Sequence, residues 1–145
     1  MAQNIFDVID AIETKVKADS DLWMDEPDES FAGFRQIFKS LADTDSIGSD
    51  SSFPILVLDA QDTLVMDSSN CGYAPSGGVL SISVYTMYND YGDGYAKKKL
   101  AGSLIDKVLE LINMEVVDSV SYISSYLEGY KVFAGVAVVE YQWRY

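Results

Sequence analysis

The 145-residue chain contains no histidine, a single cysteine and only 3 prolines. The missing histidine removes imidazole general bases, Ser-His and Cys-His nucleophilic pairs, and every His-containing zinc site. One thiol, Cys71, permits neither an internal disulfide nor a cysteine-rich metal centre, so a disulfide-stapled secreted scaffold is excluded and a reducing cytoplasm is the expected compartment. The first residues show neither the basic n-region nor the apolar h-region of a signal peptide, and no segment approaches the roughly 20 apolar residues that cross a bilayer. Basic residues are scarce as well: 10 Lys and Arg stand against 23 Asp and Glu, a net charge of −13. That field disfavours gripping nucleic acid through basic residues, and suits a surface past which DNA slides without sticking.

What is present is a core. Hydrophobic residues make up 48% of the chain and aromatics 12%, enough for one packed domain spanning residues 1–145. The charge is uneven, with 12 acidic and 4 basic side chains in residues 1–50.

Ile5, Val8, Ile9, Ile12 and Val16 recur at helical spacing and predict an amphipathic helix whose acidic start and lysine-bearing end suit the macrodipole. From Ala18 to Ser30, acids flank Leu22, Trp23 and Met24, and Pro27 interrupts any helix, which predicts a loop with a hydrophobic anchor. Phe31, Phe34, Ile37, Phe38 and Leu41 fit a helix or a strand, and Ala42 to Ser52 reads as a solvated linker. Phe53 to Leu58 predicts a mid-sheet strand continuing weakly into Thr63-Leu64-Val65. Asp67 to Gly78 has turn composition and no period, so it reads as a long hairpin loop.

Val79 to Tyr88 alternates, with Leu80, Ile82, Val84, Thr86 and Tyr88 on the expected core face. Leu100, Leu104, Ile105, Val108, Leu111 and Ile112 mark a second helix ending near Asn113, in which Gly102 predicts close packing on something flat. Val120 to Tyr126 and Lys131 to Tyr145 predict two strands joined by a hairpin turn at Leu127-Glu128-Gly129-Tyr130, with glycine supplying the positive φ. The last strand is longer than usual and is expected to leave its home sheet and meet another subunit. The elements together predict an α+β fold: a mostly antiparallel four- to five-stranded sheet with two or three helices packed against it.

Candidate chemistry is sparse. Asp59, Asp62 and Asp67 follow a buried strand, where metal-dependent nucleases place carboxylates for a hard cation, yet solvated turn acids are the simpler reading. Asn89 to Gly94 imitates the start of an EF-hand loop, but Tyr91 takes its third position and Leu100 its twelfth, where a bidentate glutamate belongs, so calcium is rejected. Lys97, Lys98 and Lys99 read as a solvated face against a docking patch for an acidic neighbour. Tyr122, Tyr126, Tyr130, Tyr141 and Tyr145, with Trp143, suit either sheet packing, a ligand platform or a protein interface. Cys71 has no nearby cation in sequence to lower its pKa and reads as an incidental thiol.

The order of elements, with Ser52-Phe53-Pro54-Ile55-Leu56-Val57 opening a sheet and a turn-rich hairpin entering Leu80-Ser81-Ile82-Ser83-Val84-Tyr85, resembles the tail terminator proteins of long-tailed bacteriophages. The helix Leu100 to Ile112 and the closing strand Gly135-Val136-Ala137-Val138-Val139-Glu140-Tyr141 share the likeness, which covers roughly residues 3–145 as a pattern of elements. The loops Asp19 to Glu29 and Asp67 to Gly78 depart from it.

The resemblance implies a compact α+β domain that assembles as a six-membered ring on the tail tube, ends tube polymerisation and presents a face to the head-tail connector protein. It implies a virion neck or tail location after assembly in the host cytoplasm, with genomic DNA passing the lumen without specific binding. No enzymatic activity, cofactor, metal or membrane partner is expected. On this view Tyr141, Trp143 and Tyr145 form a subunit contact, and the loop carrying Asp67, Asn70, Gly72, Tyr73, Pro75 and Gly77 faces the tube or connector. The rivals are another neck or tail protein (a connector or tube-like subunit), a metal-dependent nuclease built on Asp59, Asp62 and Glu140, and a small-ligand domain using a tyrosine-rich sheet face.

Overall fold

The computed structural model describes residues 5–41, 44, 47, 53–61, 76–88, 93–113 and 119–143. Helix α1 (Ile5–Lys17) forms where the apolar spacing predicts it, and Val8, Ile9, Ile12 and Val16 are all buried. The chain leaves α1 through the acidic stretch, which Leu22 pins by inserting into the core while Met24 stays in solvent. Trp23 forms a parallel bridge to Phe34, donates its indole N–H to Asp25 Oδ1 at 3.0 Å, and carries Lys17 Nζ 5.1 Å from its ring centroid. This is the anchored loop expected from the sequence.

Residues 36–38 resolve the ambiguity of the next segment in favour of a strand, β1 (Gln36–Phe38). Ile37 packs against the helix-side core and Phe38 against the opposite cluster, the two-sided alternation of extended chain. Gly33 is required just before it, because a Cβ there would meet the Phe31 ring and sit 2.6 Å from the Leu22 carbonyl oxygen. The Phe34 N–H donates to that same carbonyl at 2.8 Å, so the close approach is held by a hydrogen bond.

Four further strands and one helix follow: β2 (Ile55–Gln61), β3 (Ser76–Met87), α2 (Gly94–Ile112), β4 (Ser121–Leu127) and β5 (Tyr130–Trp143). The sheet order is β1-β2-β3-β5-β4, with β1 parallel to β2 and every other pairing antiparallel. The fold is therefore α+β, with a five-stranded mixed sheet and two helices among the described residues. Both helices lie on one face. Their buried residues pack against Leu56, Leu58, Leu80, Ile82, Val84, Phe133, Ala137 and Val139, the core face that the alternation in β3 predicts. A smaller cluster of Phe53, Ile55, Val57, Leu127 and Val132 occupies the other face. Each fully buried aliphatic side chain contributes about 1.5–3 kcal/mol of transfer free energy.

Several expectations need correction. β5 does not leave the home sheet: it stays paired with β3 as far as Ser76↔Trp143, because β3 starts earlier than its alternation shows. Gly77 and Gly78 accordingly belong to β3 and not to the preceding loop. Within the expected solvated linker, Thr44 is buried and donates its hydroxyl to the Leu41 carbonyl at 2.7 Å, and Ile47 packs on the smaller cluster. β2 lies inside the sheet between β1 and β3 as expected; Thr63-Leu64-Val65 lies outside the described residues. α2 ends as expected, at Asn113 in the left-handed conformation, whose N–H donates to the Leu109 carbonyl.

Candidate interaction surface

Among the described residues the two ends of the strand order are edges, and they are built differently. On the β1 side the edge strand has three residues, and Lys39 just beyond it pairs with Asp10 at 3.2 Å and Glu13 at 3.7 Å on α1. Those contacts, the Asp10 hydrogen bond first, raise the Lys39 pKa. Arg35 at its start donates to the carbonyls of Asp28 and Phe31. Hydrogen bonds from the Ser30 side chain and backbone hold the Asp28 carboxyl below its ordinary pKa.

On the far side β4 reads Ser-Tyr-Ile-Ser-Ser-Tyr-Leu and contains no charge. Tyr122, Ile123 and Tyr126 are 46%, 50% and 70% exposed, although large apolar side chains are costly on an edge. The sequence produces this edge through its turn. Glu128 and Gly129 have φ of 49° and 87°, the paired positive values of a type I′ two-residue hairpin, whose twist matches the strands it joins.

A hairpin of that type makes Leu127↔Tyr130 a hydrogen-bonded pair, and the alternation of the ladder then fixes the rest. Ser121, Ile123, Ser125 and Leu127 turn their backbone groups to β5, whereas Tyr122, Ser124 and Tyr126 turn theirs outward. The Lys131 carbonyl agrees with this phase, since it accepts from Tyr88 N–H on the β3 side.

Behind the edge, Tyr122 is seated by two glycines. Its ring lies 3.3 Å from where a Cβ on Gly135 would be, its hydroxyl lies 3.7 Å from the same point on Gly102, and it stacks on Phe133 with centroids 6.4 Å apart. Burial, and then the charge of Asp106, raises the Tyr122 pKa. Gly102 thus packs against a tyrosine of the edge strand. Lys98 Nζ lies 4.9 Å from the Phe133 ring centroid and Lys99 Nζ 5.4 Å from that of Tyr95, so two of the three clustered lysines cover aromatic surface.

The expected aromatic platform is divided. Tyr122 and Tyr126 share the helix-bearing face of β4, while Tyr130 packs edge-to-face on Phe53, centroids 5.4 Å apart, in the opposite cluster. Tyr141 and Trp143 are registered to Gly78 and Ser76 within the sheet. Tyr145 lies outside the described residues, as do Asp62, Asp67, Asn70, Cys71, Gly72, Tyr73 and Pro75. Asp59 accepts a hydrogen bond from Leu41 N–H at 3.3 Å, and Glu140 is registered to Val79 on β3. Among the described residues no group of three or more His, Cys, Asp or Glu converges to hold a metal ion. An open groove of about 670 Å³ runs between the Asp28–Gln36 segment and α2, lined in part by Arg35, Gln36, Pro54 and Lys97. Among the described residues the buried Gln36 Oε1 has no hydrogen-bond partner. No helix among the described residues is long and apolar enough to cross a membrane.

No protein-family model matches this sequence, and no curated protein matches it. The signal that sequence inspection missed is the repeat Tyr122-x-Ser124-x-Tyr126, whose meaning appears only once β4 is known to be an edge.

Proposed function

We propose that the protein is a non-enzymatic virion assembly protein, a tail terminator that caps the phage tail tube and presents a docking face to the head-tail connector. The observation that carries this reading is the architecture: a five-stranded sheet with both helices on one face and two long strands at its centre, the α+β plan that the resemblance implies. The acidic charge of −13 supports it as well, since a conduit for DNA works best when its wall does not bind phosphate. Function here is shape and self-complementarity: the capping ring copies the docking geometry of a tube ring and offers no site for the next one. This reading assigns the segment carrying Asp67, Asn70, Gly72, Tyr73, Pro75 and Gly77 to the tube or connector, and Tyr141, Trp143 and Tyr145 to the neighbouring subunit.

The test is a capping assay, in which the purified protein is added to growing tail tubes and lengths are measured by negative-stain microscopy. Tubes that stop lengthening and carry the protein at one end support the proposal. Incorporation along the tube makes the protein a tube subunit, and binding only to tubes already ended makes it a connector; either result overturns the terminator reading.

A further inference from the structure

Edge strand β4 has a symmetry of its own. The residues whose backbone groups point away from β5 are Tyr122, Ser124 and Tyr126, spaced evenly about Ser124, and their side chains share one face. Among the described residues, no backbone hydrogen bond from these three reaches outward to another segment of the chain.

We propose that β4 is the docking edge for β4 of a second copy of this chain, in an antiparallel, two-fold pair centred on Ser124. This inference does not rest on the tail-terminator reading, because a closed ring joins unlike surfaces head to tail whereas this pair joins a surface to itself.

Three features single out a second copy as the occupant. First, a two-fold axis at Ser124 sets Tyr122 opposite the second copy's Tyr126 and Ser124 opposite its own equivalent. All three positions become hydrogen-bonded pairs, and each exchanges two backbone bonds, so the outward amides and carbonyls of both strands are matched with none left over. Second, Tyr122 and the second copy's Tyr126 become cross-strand neighbours on one face, an aromatic pair of the kind that stabilises sheets, and the arrangement occurs twice.

Third, charges of opposite sign stand at each end of the seam although the chain is strongly acidic. Asp106 lies beside Tyr122, and Lys131 is the cross-strand partner of Tyr126. The two-fold axis therefore sets Asp106 level with the second copy's Lys131, at both ends of the seam. The strand itself carries no charge, so no like charges stand opposite one another between the paired residues 122, 124 and 126. Strands sit about 4.8 Å apart, so β5 and the second copy's β5 are separated by three such steps, which leaves room between the two α2 helices for the four tyrosines.

The decisive experiment places charge on the axis. Ser124 is exposed, and its backbone groups take no part in the β4–β5 ladder, so Ser124→Lys and Ser124→Glu leave the monomer intact, as far-UV circular dichroism and the thermal midpoint of dilute protein will register. The wild-type chain is expected to show the mass of two chains by sedimentation and by light scattering behind size exclusion. Each variant alone puts like charges face to face and is expected to weaken the pair at least about 100-fold, giving one-chain mass. An equimolar mixture of the two variants puts Lys opposite Glu and is expected to return to two-chain mass, which only a seam joining position 124 to itself produces.

A wild-type chain that stays monomeric up to about 1 mM overturns the proposal. So does a dimer that the single variants leave intact, or a mixture that fails to restore it. A six-chain mass indifferent to both substitutions overturns the pair while leaving the terminator reading standing, and a failed capping assay does the reverse.

Discussion

The two edges of one sheet show two ways of ending it. At β1 the strand is cut to three residues, positive charges stand at both ends, and the bridge from Trp23 to Phe34 together with the Lys39 ion pairs ties the margin to the rest of the fold. At β4 the strand runs for seven residues without a charge, and its aromatic side chains face solvent. Short, charged and covered edges are the devices by which sheets avoid pairing with a neighbour. One margin uses them and the other omits them, and that contrast locates the surface at which association is cheapest.

The largest effect should come from the guarded side. Phe34 is fully buried and anchors the segment that seals β1, so Phe34→Ala should cost about 3–5 kcal/mol in urea denaturation. Tyr126→Ala on the open side should change the stability of dilute protein by less than about 0.5 kcal/mol, because that side chain has little burial to lose. Comparable losses at the two positions would break the comparison.

An intermediate effect is expected at the hairpin that phases the open edge. Glu128 occupies a left-handed conformation with φ of 49°, which asparagine tolerates better in this turn. Glu128→Asn should raise stability by about 1 kcal/mol without altering the β4–β5 register, as the denaturation midpoint and amide exchange along β4 will show.

The smallest effects separate the edges by pH. The depressed pKa of Asp28 gives stability that is present above the ordinary carboxylate value and is lost as pH falls through the folded-state value. The raised pKa of Tyr122 does the opposite: its contribution is full below the ordinary tyrosine value and is lost as pH rises through the folded-state value. Asp28→Asn should therefore flatten the acid limb of a stability profile, and Tyr122→Phe the alkaline limb. The difference between the ultraviolet titrations of the parent chain and of Tyr122→Phe identifies the second group among the 10 tyrosines.

How much of this was legible in the chain depends on how local each signal is. α1, α2 and β3 were readable because Val8 to Val16, Leu104 to Ile112 and Leu80 to Val84 repeat the period of their own element within a few residues. The Glu128-Gly129 turn was readable for the same reason. β1 was ambiguous because three residues give no period, and its conformation is decided by Gly33 meeting Leu22 and by parallel pairing with β2. Ser76-Gly77-Gly78 has turn composition, and only its partners Trp143, Gln142 and Tyr141 on a distant strand make it extended. The candidate surface was the least legible part: which tyrosines share a face and which amides lack partners follow from strand order, and β4's neighbours are set by pairings the sequence does not print.

The long β3–β5 ladder has a kinetic consequence. It joins Ser76 to Trp143 across the whole of α2 and β4, so its loop must close before any of its contacts are gained, which is the slow kind of pairing. The β4–β5 hairpin closes through two residues, on a scale of about 1–10 μs for such units. The margin left open in the finished sheet thus belongs to the pairing that is quickest to form. The β4–β5 hairpin can therefore form while β3 is still unpaired, which displays the uncharged strand before the rest of the sheet closes.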